Sequence, residues 1–247
     1  MIAGKRVCVV VPAQNEEARI GEVIATMPSF VDSVLVIDDG SVDETAKVAC
    51  AAPSERSVRV VRHRANRGVG AAIARGYREA LLEGADIVAV MAGDGQMDPR
   101  DLRAVVEPIV QARADYVKGN RLRHPDVWRA MPKDRLIGSL VLSALTALSV
   151  GQRLGDSQCG YTAIGRACLA RLDLDALWPR YGYPNDLLGA VSSVGARIEE
   201  VTVRPVYRGE ASGMRAWHAG LILLLIARVA WRRFFARNAE GRATGDD

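Results

Sequence analysis

The chain has 247 residues, 49% of them hydrophobic and 25% charged, with a net charge of +4. That composition excludes a disordered or low-complexity chain and suffices for one large domain with a substantial core. Three phenylalanines in all, with no aromatic–basic interleaving and no helix-turn-helix pattern, argue against a nucleic-acid partner.

Four cysteines (Cys8, Cys50, Cys159, Cys168) show no metal-ligand spacing, and no signal peptide precedes Val7, so a reduced, cytoplasmic setting is expected. Arg6–Pro12 is a Val-rich apolar run that reads as a first strand, bounded by Pro12 and the polar turn AQNEE. Glu16–Met27 has helical spacing in Ile20, Val23, Ile24 and Met27, and Pro28 ends it. Ser33–Ile37 is a second buried strand, closed by Asp38-Asp39-Gly40-Ser41. Thr45–Ala52 reads as helix, Val58–Arg62 as strand, Gly70–Glu83 as helix and Ile87–Met91 as strand. Continuous apolar strands alternating with helices predict an α/β domain, its mostly parallel sheet covered on both faces.

In such sheets ligands bind beyond the carboxyl ends of the strands. The chain places Asn15 and Glu16, then Asp38 and Asp39, then Asp94 and Gln96 at successive strand ends. Carboxylates gathered on one rim repel one another, and a divalent cation or a hydroxyl-rich ligand would relieve that. Asp94 and Gln96 supply hard oxygen ligands, with Gly93 and Gly95 permitting a tight turn. Taken alone, the segment is equally an ordinary polar turn after a core strand.

Beyond Asp98-Pro99 the pattern gives a helix over Asp101–Arg113, a strand-like Tyr116–Lys118 and the turn Gly119-Asn120-Arg121. Leu136–Val150, 15 residues without a charge, is too short for the ~20 that cross a bilayer. It reads as a buried or interfacial helix. Asp156–Thr162 (DSQCGYT) and Tyr181–Asp186 (YGYPND) read as polar loops, and Ile198–Pro205 as the last strand. From Arg204 to Arg237 seven arginines face a single acid, Glu210, among Trp217, Trp231, Phe234 and Phe235. The uncharged stretch Ala216–Ala227 cannot span a membrane but suits a helix lying among anionic headgroups. Docking on the domain or on a second copy of the chain is the alternative. The expected division is a domain over 1–215, a membrane-associating helix over 216–237 and a polar tail over 238–247.

PAQNEE (Pro12–Glu17), DDGSVDET (Asp38–Thr45), NRGVGAAIARG (Asn66–Gly76), GDGQMDP (Gly93–Pro99), GNR (Gly119–Arg121) and DSQCGYT (Asp156–Thr162) occur in that order. Together they resemble family 2 glycosyltransferases of the GT-A fold, most closely the dolichyl- or polyprenyl-phosphate mannose and glucose synthases, over roughly Arg6 to Arg215. The resemblance implies an inverting transfer of a hexose from a GDP- or UDP-sugar to polyprenyl phosphate, on the cytoplasmic face of the membrane. It implies donor contacts from Pro12, Gln14, Glu16, Asp38, Asp39 and Gly93, although Asp38 could instead cap its own turn. Asp94 and Gln96 match the ligands of Mg²⁺ or Mn²⁺ bridging the diphosphate. Arg121, Arg135 and Ser139 match the acceptor-phosphate site, and Arg208 a loop closing over the donor; a guanidinium fork suits phosphate.

Two departures stand out. The family writes Asp-Ala-Asp where this chain has Ala92-Gly93-Asp94, so one carboxylate is absent and weaker metal binding follows. Gln14 stands where Tyr is common, which leaves the nucleotide base open. Two further readings remain at this stage. One is a soluble transferase acting on a small-molecule hydroxyl, with Asp186 as the catalytic base such a reaction needs. The other, motivated by Ala92, is a nucleotide-sugar-binding protein without catalysis. A dehydrogenase is disfavoured because no G-x-G-x-x-G follows the first strand.

Overall fold

The computed structural model describes residues 1–207 and 216–243. Its centre is a seven-stranded sheet of β1 (Val7–Ala13), β2 (Ser33–Asp38), β3 (Ser57–Arg62), β4 (Ile87–Val90), β5 (Tyr116–Asn120), β6 (Thr162–Gly165) and β7 (Ile198–Thr202). The spatial order is β3-β2-β1-β4-β6-β5-β7, and only β6 runs antiparallel to its neighbours.

Strand β1 is buried along its whole length because helices cover both sheet faces. Side chains alternate across a strand, so Val7, Val9 and Val11 enter one core while Cys8 and Val10 enter the other. The first core is completed by α1 (Ile20–Ala25) and α4 (Leu102–Val110) through Ile20, Val23, Ile24, Leu102, Val105 and Val106. The second takes Ala72, Ile73, Tyr77 and Ala80 from α3 (Val69–Leu82), and Leu187, Leu188 and Val191 from α8 (Tyr183–Ser193). Full burial of each Val, Leu or Ile contributes about 1.5–3 kcal/mol, which explains why these strands read as unbroken apolar runs. The small α2 (Thr45–Ala51), α5 (Val127–Ala130) and α7 (Arg166–Leu169) fill connections.

Two long helices complete the fold. Helix α6 (Lys133–Val150) ends at Gly151, whose φ of +67° is the left-handed stop that glycine permits. Helix α9 (Ala216–Ala243) continues beyond Arg237, where the sequence suggests a polar tail. It docks on α6 and α8 of its own chain. Val229 enters the second core, and Ile222 and Ile226 cluster with Leu142. The Arg233 guanidinium donates to the carbonyls of Leu148 (3.4 Å) and Ser149 (3.3 Å), capping the end of α6.

Three features differ from the sequence reading. YGYPND is not a loop throughout: Tyr183–Asp186 is the first turn of α8, begun by Pro184. The short β6 is a strand that its four residues do not announce. The last strand stops at Thr202.

Candidate active site

The carboxyl ends of β1, β2 and β4 lie on one edge, and the loops after β1 and β2 are laced together. Asn15 N donates to Ser41 Oγ (3.0 Å), Glu16 N to Thr45 Oγ1 (2.7 Å), and Val42 N to Asn15 Oδ1 (3.0 Å). Beside this edge a cleft of about 760 Å³ opens. It brings together Gln14, Asp94, Gln96, Arg121, Arg135 and Ser139, which the sequence singles out from distant segments. A smaller recess of about 160 Å³ adjoins it and shares Asp94, Gln96 and Arg121.

Asp94 sits in the turn just past β4. Its Oδ1 accepts from Gln96 N at 2.9 Å, and Gly95 takes φ +72° to make that turn. Gly93 is required by close approach, since a Cβ there would lie 3.0 Å from Ala13 Cβ. Among the described residues no group of three His, Cys, Asp or Glu side chains could hold a metal by itself. Asp94 and Gln96 therefore form an incomplete set of hard oxygen donors. Such a set suits Mg²⁺ or Mn²⁺ shared with ligand phosphates, because Mg²⁺ is commonly held by one or two carboxylates plus substrate oxygens.

The other rim carboxylates are satisfied by the protein. Asp39, only 3% exposed, accepts from Gly68 N (2.7 Å) and Arg67 N (2.9 Å), and its Oδ1 lies 2.7 Å from His63 Nδ1. Asp38 accepts from Ser41 N (2.9 Å) and pairs with Arg62 Nε (3.0 Å), so it caps its own turn. Neither lines the cleft, nor do Pro12, Glu16 and Gly93. Arg208 lies outside the described residues.

Arg121 follows β5 and is gripped by a buried carboxylate. Its Nε and Nη2 donate to Asp156 Oδ2 (2.8 Å) and Oδ1 (3.0 Å), while Nη1 reaches Tyr207 Oη at 3.4 Å. Burial works against both charges, yet each partner outweighs it: the Arg121 pKa is raised and the Asp156 pKa held below the usual carboxylate range. The guanidinium fork is thus spent on Asp156, and Arg121 reaches a cleft ligand only with its remaining edge. Lys118, fully buried on β5, donates through Nζ to the Cys159 carbonyl, and burial pushes its pKa down. Arg135, on the first turns of α6, lies 5.6 Å from the Tyr207 ring centroid with its charge over the ring face. Ser139 stands one turn along the same helix.

Asp186 is not in the cleft lining. It is 2% exposed on α8, its Oδ2 accepts from Trp178 N (2.8 Å), and Oδ1 lies 3.8 Å from Arg228 Nε on α9. A carboxylate enclosed in this way holds the 176–186 segment in place.

The cleft also contains residues that the sequence did not reveal. Trp178, Arg180, Tyr181, Gly182, Tyr183 and Pro184 form one stretch of its wall, joined by Leu221 and Ile222 of α9 and by Gln158. The signal present was YGYPND and DSQCGYT themselves: polar, Gly- or Pro-marked segments next to buried elements. Gly70 serves packing, since a Cβ there would fall 2.2 Å from the Trp178 carbonyl, while Gly68 lines the cleft.

Known proteins resemble this chain in sequence and in fold. The family model described as "Glycosyl transferase family 2" matches residues 8–173. The UDP-N-acetylglucosamine–dolichyl-phosphate N-acetylglucosaminyltransferase of Methanococcus voltae is 30% identical over 83% of this chain and 88% of its own. The undecaprenyl-phosphate mannosyltransferase of Micrococcus luteus is 30% identical over 82% of this chain and 84% of its own. Among solved structures, mannosyl-3-phosphoglycerate synthase from Rubrobacter xylanophilus superposes with a TM-score of 0.70 at 18% identity, over 97% of this chain and 76% of that one. Glucosyl-3-phosphoglycerate synthase from Mycobacterium tuberculosis, in complex with Mg²⁺ and uridine diphosphate, gives 0.68 at 24% identity, over 92% and 80%. At those identities the two structures establish the shared fold and nothing finer.

Proposed function

The chain belongs to glycosyltransferase family 2, with the GT-A fold and the sugar-transferring activity of that family, and from that premise we propose that it moves a hexose from a GDP- or UDP-sugar to polyprenyl phosphate with inversion. The observation that carries this reading is the lining of one cleft. The Asp94–Gln96 turn, Arg135 and Ser139 of α6, and apolar Leu221 and Ile222 of α9 all line it. Oxygen donors for a cation and diphosphate, a cation and a hydroxyl for an acceptor phosphate, and apolar side chains for a lipid are the surfaces such a transfer needs. Relatives named for dolichyl and undecaprenyl phosphate acceptors support it.

In this reading Asp94 and Gln96 would hold Mg²⁺ or Mn²⁺, which when bound would supply positive charge against that growing on the departing nucleoside diphosphate. Gln14 lies on the nucleoside side. The Asp39 carboxylate fixes the 63–68 loop against which the donor rests. Arg135, steered by Tyr207, and Ser139 orient the acceptor phosphate, with the outer edge of Arg121 completing its neutralisation. A phosphate oxygen is already anionic, so the attack needs no base, and the enclosure of Asp186 fits an acceptor of that kind. Rate then comes from alignment and charge compensation.

The outer face of α6 and α9 supports a peripheral membrane contact. Ile137, Val141 and Leu148 fall on one stripe of α6 and are 62%, 54% and 77% exposed; Leu224 on α9 is 69% exposed. Lys133 and Arg129 are exposed near the start of α6, and Arg232 is exposed on α9. Apolar residues flanked by cations suit an anionic cytoplasmic leaflet. Among the described residues no helix is long and apolar enough to cross a membrane.

The test is a thermal-shift panel of GDP- and UDP-sugars with and without Mn²⁺, followed by transfer assays. One donor series should stabilise the fold only with metal, and label should pass to polyprenyl phosphate in vesicles. Metal-independent binding, or transfer only to a water-soluble hydroxyl acceptor, would overturn the proposal. Binding without any turnover would favour the non-catalytic reading.

A further inference from the structure

Gln158 occupies the place where the cleft and the smaller recess meet, beside Asp94, Gln96, Arg121 and Gly160. The turn that carries it is fixed from several directions. Ser157 N donates to Ser143 Oγ on α6 at 2.8 Å, Lys118 donates to the Cys159 carbonyl, and Asp156 is held by Arg121. The amide is oriented as firmly: Gln158 Nε2 donates to Ser157 Oγ (2.7 Å) and to Asn185 Oδ1 (3.1 Å). Both amide protons are thereby spent inside the protein, and Oε1 is the edge left to the cleft.

An acceptor edge has no use for a phosphoryl oxygen, which also only accepts. Between the diphosphate and the sugar of a donor, only the sugar hydroxyls offer it a proton. The opposite setting of the two amides would give the buried Asn185 Nδ2, otherwise without a partner, a bond to Thr146 Oγ1 2.7 Å away. That setting would turn Gln158 Nε2 outward. A hydroxyl donates and accepts, so it satisfies either edge, whereas phosphate satisfies one. The neighbouring charge points the same way, since the Arg121 cation is already matched by Asp156.

We propose that Gln158 hydrogen-bonds a hydroxyl of the hexose being transferred and so helps set which sugar is accepted; this rests on the glycosyl-transfer reading above. A fixed polar edge at one ring position favours the epimer that places a hydroxyl there. The proposal separates sugar recognition from diphosphate binding, and the experiment uses that separation.

Calorimetric titrations of the full chain with Mn²⁺ would compare UDP with UDP-glucose and GDP with GDP-mannose, for the parent and Gln158→Met. In Gln158→Met the nucleoside diphosphate should bind within about twofold of the parent, while the cognate sugar nucleotide weakens about five- to tenfold, the worth of one neutral hydrogen bond. Equal weakening of diphosphate and sugar nucleotide in Gln158→Met would assign the residue to phosphate and overturn the proposal. An unchanged sugar-nucleotide affinity in Gln158→Met would overturn it as well. A parent that binds neither donor series would instead bring down the underlying reading, and this inference with it.

Discussion

Asp94 is the one carboxylate that lines the cleft among the described residues, and the reason lies in how its neighbours are satisfied. The sequence shows acids crowded on a rim and asks for a cation to relieve them. The fold answers most of that demand itself, giving Asp38 to Arg62, Asp39 to the backbone of the 63–68 loop, and Asp156 to Arg121. Side-chain pairing of this kind joins residues far apart in the chain and leaves no spacing to read. Asp94→Ala should therefore abolish Mn²⁺-dependent stabilisation by the donor and lower turnover by at least ~10²-fold, read by thermal shift and product formation. Asp156→Asn should act on stability. Folding depresses the Asp156 pKa, so its carboxylate stabilises the protein above the unfolded value, about pH 3.9, and that contribution is lost as pH falls through the folded value. The variant should lose ~3 kcal/mol at pH 7, having orphaned Arg121, and its acid unfolding limb should be flatter in pH-dependent denaturant titrations. A parent-like acid limb in the variant would show that the pair does not govern it.

At the scale of elements, the strand–helix alternation up to β4 was legible because β1, β2 and β4 are buried on both faces and read as apolar runs, while edge strand β3 still shows its β-branched residues. Legibility fails at β6, whose four residues lack an apolar run, and at α8, whose Pro and Asn look like a loop until Pro184 is recognised as a helix start. The error matters for Asp186. Placed on α8, it binds the 176–186 wall of the cleft to α9, where Arg228 Nη2 also donates to the Ala176 carbonyl at 3.1 Å. Asp186→Asn should leave turnover on a phosphate acceptor within about tenfold while lowering Tm, whereas a general base contributes ~10²–10⁴-fold. A folded Asp186→Asn protein that binds donor but has lost turnover by that larger factor would restore the base reading. The outer stripe of α6 makes a separate prediction. Val141→Glu combined with Leu148→Glu puts charge on exposed positions that contribute nothing to the core, so donor binding and Tm should hold. Co-sedimentation with anionic vesicles should drop several-fold; unchanged co-sedimentation would place the membrane contact elsewhere.

For the molecule as a whole, the order β3-β2-β1-β4-β6-β5-β7 puts β1 and β4 at the centre, so the Asp94–Gln96 turn grows from the middle of the sheet. The cleft is then finished by peripheral parts, the 178–184 wall and α9, which is why its central half was readable from local pattern and its other half was not. The cysteines report on this division. Cys8 lies in central β1, fully buried, and burial pushes its thiol pKa up to about 12; Cys168 is pushed up to about 11 in the same way, and burial raises Cys159 as well. Only the thiolate reacts readily, so at pH 8 each of these three is protected twice, by enclosure and by protonation. Cys50 is exposed on α2. Maleimide labelling of the native protein at pH 8, followed by peptide mass mapping, should therefore modify Cys50 fast and Cys8 only at the rate of global opening. Denaturant should accelerate Cys8 with the full slope expected for exposing the whole core. Fast native labelling of Cys8 would mean that the centre of the sheet opens locally, and the Asp94 turn would lose its footing with it.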